Sequence, residues 1–330
     1  MILIVGAGAV GTIVSAYLTA AKREPVKLYV REKDVAALQT VQDIRVEHAG
    51  ATHPPVVAPK PLLTRSLALD EVDYLLICVK FPQLDGLLDE LGTVPERCTL
   101  VSTLNGVGAL RRIRERLPQA RVVPMTIMFN GQLLEPLHAQ ITTKPHVLIG
   151  SDDTRLLRAF GDSGMQVTRV AGESAAWGKL LINLANAICA LTHTTFKDLL
   201  TQPDMRAIYV AVVDEAVHLL DAAGIDYKLP MPIPYPVYRA LLAGRTPLPW
   251  WFAKFRNGLQ DGSYPSMVAD VDTGRKTEIG QLNGEIVCLG LEHKLPTPVN
   301  AKIVSLIQKI EGQAPPPYLT PAQLRERLGV

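Results

Sequence analysis

The chain has 330 residues, 48% of them hydrophobic, and its 34 basic against 32 acidic side chains leave a formal net charge of +2. That length exceeds one ordinary core and predicts two domains, and a near-neutral balance without a basic stripe excludes nucleic acid in favour of a small polar ligand. The apolar N-terminus is too short for a signal peptide and no run reaches the ~20 apolar residues of a membrane helix, so a cytoplasmic protein with no membrane partner is expected.

The first predicted element is a buried strand, Met1-Ile2-Leu3-Ile4-Val5, which runs directly into Gly6-Ala7-Gly8-Ala9-Val10-Gly11. This is the dinucleotide-binding spacing. Gly6 permits the tight turn out of the strand, Gly8 lets the backbone approach a pyrophosphate, and Gly11 allows close packing of helix on strand. The stretch Thr12 to Ala21 predicts the helix whose N-terminal N–H groups and dipole hold the phosphates. A second strand, Val26 to Val30, ends at Arg31, twenty residues after Gly11. An acid at that point would accept from a ribose 2′-hydroxyl, whereas an arginine pairs with a 2′-phosphate. Arg31, with Lys33 nearby, therefore predicts NADP(H). Glu32 is the acid one residue on, and a solvated loop cation is the bland reading of Arg31.

Further strands are predicted at Ile44 to His48, Tyr74 to Val79, Thr99 to Thr103, Val122 to Ile127 and His146 to Gly150. Continuous apolar strands such as Tyr74 to Val79 belong to sheets covered on both faces. The first half is thus expected to be an α/β, doubly wound, mostly parallel Rossmann-type domain over residues 1–171. Lys80 and Gln83 follow one strand and Asn105-Gly106 the next, where parallel strands deliver residues to a ligand. Ordinary turn chemistry explains the same residues. The four cysteines, Cys78, Cys98, Cys189 and Cys288, lack CxxC or metal-ligand spacing, so reduced core residues and no metal site are expected.

From residue 172 to 330 the pattern becomes helical, with Trp177, Leu180, Leu181, Leu184, Ile188 and Leu191 spaced by three and four. On that apolar helix Lys179, Asn183 and Asn186 share one face. Partial desolvation would lower the lysine toward neutrality and make it a competent proton donor to a developing alkoxide, while the amides could orient a carboxylate or hydroxyl. A wet helix edge with a snorkelling lysine has the same pattern. The segment Tyr227 to Ser266 carries seven prolines and Trp250-Trp251, so it cannot be one helix. It reads as an active-site wall, a subunit contact, or a surface loop pinned by two half-buried indoles. Near the C-terminus, Ser266 and Asp270 precede Thr277-Glu278-Ile279-Gly280-Gln281-Leu282-Asn283-Gly284, predicted to open a helix with Glu278 in its first turn. Thr320-Pro321-Ala322-Gln323 predicts the capping box of a final helix.

In this order, the glycine loop with Arg31, Val79-Lys80-Phe81-Pro82-Gln83, Leu104-Asn105-Gly106, Trp177-Gly178-Lys179-Leu180 with Asn183, and Ser266-Met267 through Leu282-Asn283-Gly284 resemble the ketopantoate reductase (2-dehydropantoate 2-reductase) family over nearly the whole chain. The resemblance implies NADPH-dependent reduction of a small 2-oxo acid, by default ketopantoate to pantoate in pantothenate and coenzyme A biosynthesis. It implies Lys179 as proton donor, Glu278 as a support of the ternary complex, and Asn183 and Ser266 as substrate ligands. Arg31 and Lys80 would face the 2′-phosphate, and Asn105 would lie near nicotinamide and substrate. Where the family places a second substrate-binding asparagine, eight residues after the lysine, this chain has Ala187, with Asn186 one step and about 100° earlier around the helix. A related dehydrogenase of another hydroxy acid is therefore the alternative, and a non-catalytic NADP-binding sensor a more distant one. A homodimer is the assembly that two-domain dehydrogenases of this kind suggest.

Overall fold

The structure is a computed structural model that describes residues 1–51, 53–244, 246–257 and 260–330. The chain forms two compact units, Met1–Ala176 and Trp177–Val330. The first holds strands β1 (Ile2–Val5), β2 (Val26–Tyr29), β3 (Asp43–His48), β4 (Val56–Pro59), β5 (Leu62–Thr64), β6 (Tyr74–Ile77), β7 (Thr99–Ser102), β8 (Arg121–Ile127), β9 (Gly131–Glu135), β10 (His138–Ile141), β11 (His146–Ile149) and β12 (Gln166–Arg169). Its helices are α1 (Ala9–Ala21), α2 (Glu32–Gln39), α3 (Leu84–Leu91), α4 (Gly108–Arg116) and α5 (Thr154–Gly161).

Eight strands form one sheet in the order β12-β11-β8-β7-β6-β1-β2-β5, and every neighbouring pair is parallel except β8 with β11. This is the doubly wound sheet expected. The alternation of β1 shows why its strands are apolar throughout: Ile2 and Ile4 pack in a core with residues of α1, while Leu3 and Val5 pack in another with residues of α3 and α4. Chain order reverses beside β1, with β2 on one side and β6 on the other, the switch point at which open α/β sheets bind ligands.

One strand expectation needs correcting. Ile44 to His48 does form a strand, but β3 belongs to a separate four-stranded sheet, β4-β3-β10-β9. That small sheet packs on α1. Helix α1 is consequently buried continuously from Gly11 to Leu18, which explains an apolar surface all around it instead of a single stripe. The approach is close: a Cβ at Gly131 of β9 would lie 2.3 Å from Ile13 Cδ1.

The chain enters the second unit through α6 (Ser174–Asn183), followed after Leu184 by α7 (Ala185–Thr192), α8 (Phe196–Thr201), α9 (Pro203–Ala222), α10 (Tyr235–Ala243), α11 (Leu248–Asn257), α12 (Ser266–Asp272), α13 (Asn283–His293), α14 (Pro298–Ile310) and α15 (Pro321–Leu328). The 20-residue α9 packs against α7, α8, α10, α13, α14 and α15. The run Ser174–Thr192 is long and apolar enough to cross a membrane by length and composition alone, but 72% of its apolar 18-residue window is buried within the fold, as in a core helix. Thr320 caps α15 in the expected box with Gln323. The proline-rich segment folds into α10 and α11, while Arg245, Gly258 and Leu259 within it lie outside the described residues. Its indoles divide rather than sharing partial burial: Trp250 is 3% exposed and Trp251 45%. All four cysteines are free thiols; Cys98 and Cys189 are buried, Cys78 partly so, but Cys288 is exposed and not a core residue.

Candidate active site

In the first unit the candidate residues gather at the C-terminal ends of four neighbouring parallel strands. The glycine loop follows β1, Arg31 follows β2, Lys80 follows β6 and Asn105 follows β7. Each glycine has a separate physical task. Gly6 has φ +111, and a Cβ there would meet the Cys78 carbonyl oxygen at 2.7 Å. A Cβ on Gly11 would lie 1.8 Å from the Gly6 carbonyl oxygen. Gly8, at the N-cap of α1 in extended conformation, differs: a Cβ there would meet no protein atom within 4 Å. Its freedom from side-chain packing leaves a surface of backbone at the helix start. No capping side chain and no acid occupies the first turn of α1, so its N–H groups and positive dipole end are suited to an anion. Ala7, Ala9 and Val10 complete this loop without polar side chains. The chemistry fits a dinucleotide pyrophosphate.

Arg31 is half-buried and stands at the N-cap position of α2, where its side chain makes no capping hydrogen bond. Glu32, the alternative acid, instead forms an ion pair with Arg65, which follows β5, the parallel neighbour of β2. Desolvation raises the Tyr29 phenol's pKa, as does its hydrogen bond to Glu90, while the Arg31 and Arg65 charges exert a smaller downward pull. The strand before Arg65, Leu62–Thr64, is only three residues long and has no usable periodicity in the sequence. Lys80 and Asn105 are exposed, and Gly106 takes φ +76 in the turn. Gln83 is partly occupied: its side-chain carbonyl accepts from the Lys80 backbone N–H at 3.2 Å.

In the second unit, Lys179, Asn183 and Asn186 are all half-buried on the α6–α7 run, whereas Ala187 is fully buried. The alanine is therefore a core residue, and the polar edge of the helix passes through Asn186. Burial pushes the Lys179 amine down to about 8, against an opposing pull from the Glu278 carboxylate. Glu278 does not sit in the first turn of an α-helix as its sequence suggests. It precedes the short 3-10 turn Ile279–Gln281, and α13 begins only at Asn283. The backbone is held there by tertiary hydrogen bonds, which a helix-start pattern does not register.

Other neighbours are sorted by their partners. Ser266 is exposed at the start of α12, which packs on α7. Asp270 accepts from Arg275 Nε at 3.1 Å, a local structural pairing. Gly178, beside the lysine, is required by close approach: a Cβ would lie 1.8 Å from the Lys228 carbonyl oxygen in the segment that follows α9. Gly178→Ala is accordingly expected to destabilise the protein by about 1–3 kcal/mol through overpacking, read as a lower Tm.

Residues 2–153 match the family model described as ketopantoate reductase PanE/ApbA, and residues 173–311 the one described as ketopantoate reductase PanE/ApbA C terminal. The 2-dehydropantoate 2-reductase of Aquifex aeolicus (strain VF5) is 26% identical over 328 residues, covering 94% of this chain and 96% of its own. Among solved structures, a PanE/ApbA family ketopantoate reductase from Ralstonia eutropha JMP134 shares the fold with a TM-score of 0.76 at 24% identity, over 94% of this chain and 98% of that one. A D-mandelate dehydrogenase crystallised with NADH and anilino(oxo)acetate superimposes with a TM-score of 0.75 at 19% identity, over 94% and 98% of the two chains. The two family matches together take in both structural units, and the chain belongs to the ketopantoate reductase family of oxidoreductases.

Proposed function

We propose that this protein reduces a 2-oxo acid to the 2-hydroxy acid with NADPH, and that the substrate is ketopantoate, giving pantoate in cytoplasmic pantothenate and coenzyme A biosynthesis. The observation that carries this reading is the half-buried Lys179 amine, pushed down to about 8 by burial with Glu278 acting upon it. Such an amine is still protonated at neutral pH and gives up its proton far more readily than a solvated lysine.

The glycine loop at residues 6–11 would hold the pyrophosphate, and Arg31 with Lys80 the 2′-phosphate; Gln83 would make a further contact there. When bound, the nicotinamide supplies the hydride. Lys179 stabilises the substrate oxygen as negative charge develops and then transfers its proton to that oxygen. Glu278 keeps the ammonium form available. Asn183, Asn186 and Ser266 orient the substrate's carboxylate and hydroxyl groups, and Asn105 the reacting carbonyl. A homodimer is the assembly in keeping with two-domain dehydrogenases of this kind.

A second reading is favoured by Ala187, which removes an amide from the family pattern and is fully buried: the chain acts on a different 2-oxo acid. The similarity to a D-mandelate dehydrogenase supports testing aromatic 2-oxo acids. A non-catalytic sensor would need neither the depressed amine nor its acid. Loss of nicotinamide absorbance with ketopantoate, compared with a panel of aliphatic and aromatic 2-oxo acids, tests these readings. Turnover of ketopantoate supports the first, turnover of another member the second, and NADPH binding without any turnover overturns both. Cofactor choice is tested separately: Arg31→Ala is expected to raise the KM for NADPH by about 10-fold, the loss of roughly one charge-assisted contact, and to leave the KM for NADH nearly unchanged.

A further inference from the structure

We propose that Glu311 is a positioning residue for Glu278, pinning the turn that carries it to the C-terminal end of α14. The inference rests on the reading of Lys179 and Glu278 as an acid-base pair. One oxygen of Glu311 accepts both the Thr277 backbone N–H, at 2.9 Å, and the Thr277 hydroxyl, at 2.6 Å. Thr277 is buried, and its hydroxyl oxygen also accepts the Ile279 N–H at 3.2 Å, closing the turn around Glu278. The far side of the turn is pinned to the same helix. Asn283 donates to the Asn300 side-chain oxygen at 2.9 Å, and both asparagines are fully buried.

Helix α14 is itself held at the opposite end. The Glu215 carboxylate accepts the backbone N–H groups of Val299 and Asn300, at 2.9 and 2.8 Å, and the Asn300 side-chain amide at 2.9 Å. Carboxylate capping of that terminus also complements the helix dipole. Glu278 thus sits in a short turn clipped at both flanks to one anchored helix. This arrangement gives Thr277 and Asn283 a structural task in holding the turn. A carboxylate that must act on a neighbouring amine needs such fixing, because small displacements weaken both Coulomb attraction and alignment.

The test uses the full chain with Glu311→Ala, Thr277→Val, Thr277→Ser and Glu311→Gln, the first two also made in a Glu278→Gln background. The primary readout is the pH midpoint of Lys179 acetylation by acetic anhydride, followed by peptide mass spectrometry, which needs no substrate. The secondary readout is kcat and KM for whichever 2-oxo acid is turned over. Glu311→Ala and Thr277→Val are each expected to move the Lys179 midpoint down by about one pH unit, as partial loss of an opposing charge requires. They should also lower kcat about 10-fold with little change in KM. Thr277→Ser and Glu311→Gln, which keep the hydroxyl and the acceptor oxygen, should restore the midpoint, and in the Glu278→Gln background neither disruptive variant should move it further. A lower Tm with an unmoved midpoint, or an equal shift without Glu278, overturns the proposal. Absence of turnover with every 2-oxo acid would overturn the proposed function instead, leaving the acetylation result to decide this one.

Discussion

Lys179→Ala is expected to lower kcat for 2-oxo acid reduction by about 10²–10⁴-fold, the range for losing a positioned general acid, with NADPH affinity within about twofold of the parent. The glycine loop proposed to hold the dinucleotide belongs to the N-terminal unit and the lysine to the helical unit, so removal of the amine should separate binding from chemistry. Fluorescence titration with NADPH reports the first and steady-state kinetics the second. The intact enzyme should also carry the lysine's signature in its pH profile. Burial favours the neutral amine and moves the midpoint down to about 8, while Glu278 limits the shift by favouring the ammonium. Reduction needs the protonated form, so kcat should be sustained below that midpoint and fall as pH rises through it. Oxidation of the 2-hydroxy acid needs the neutral form and should rise over the same interval. A flat profile between pH 7 and 9 combined with an active Lys179→Ala variant would remove the lysine from the chemistry.

Gly8→Ala and Gly11→Ala should fail in opposite ways, although they lie three residues apart in one loop. A Cβ on Gly11 would stand 1.8 Å from the Gly6 carbonyl oxygen, backbone against backbone at the start of a buried helix. Neither side can yield cheaply, and a loss of about 3–5 kcal/mol is expected, or a Tm lower by roughly 10 °C. At Gly8 the added methyl meets no protein atom within 4 Å, and the residue's φ of −76 suits alanine. The fold should keep its Tm within about 2 °C, while NADPH affinity drops about 10- to 100-fold because the methyl holds the pyrophosphate away from the helix N-terminus. Calorimetry and cofactor titration on the two proteins separate these outcomes. A Gly8→Ala variant that binds NADPH as the parent does would show that the loop does not approach a phosphate in the manner proposed.

The amino-acid sequence by itself determined the features whose causes are local. Ile2–Val5 and Tyr74–Ile77 are apolar throughout because both faces of their sheet are covered, and the glycine spacing at 6, 8 and 11 is a local pattern readable in the chain, although the Cys78 carbonyl that excludes a side chain at Gly6 comes from a neighbouring strand end. The Lys179, Asn183 and Asn186 stripe was equally visible, since helical period alone puts those residues on one edge. Tertiary structure decided what depends on partners distant in the chain. β3 pairs with β10 across most of the N-terminal unit, and the uniformly exposed β9 has no alternation to announce it. Glu278 looks like a helix-start acid until Thr277 is seen bound to Glu311, 34 positions away. The depressed affinity of Lys179 for its proton likewise comes from surrounding burial opposed by Glu278. Periodicity encodes which side of an element is apolar, but the energy of a buried charge depends on what the folded chain brings against it.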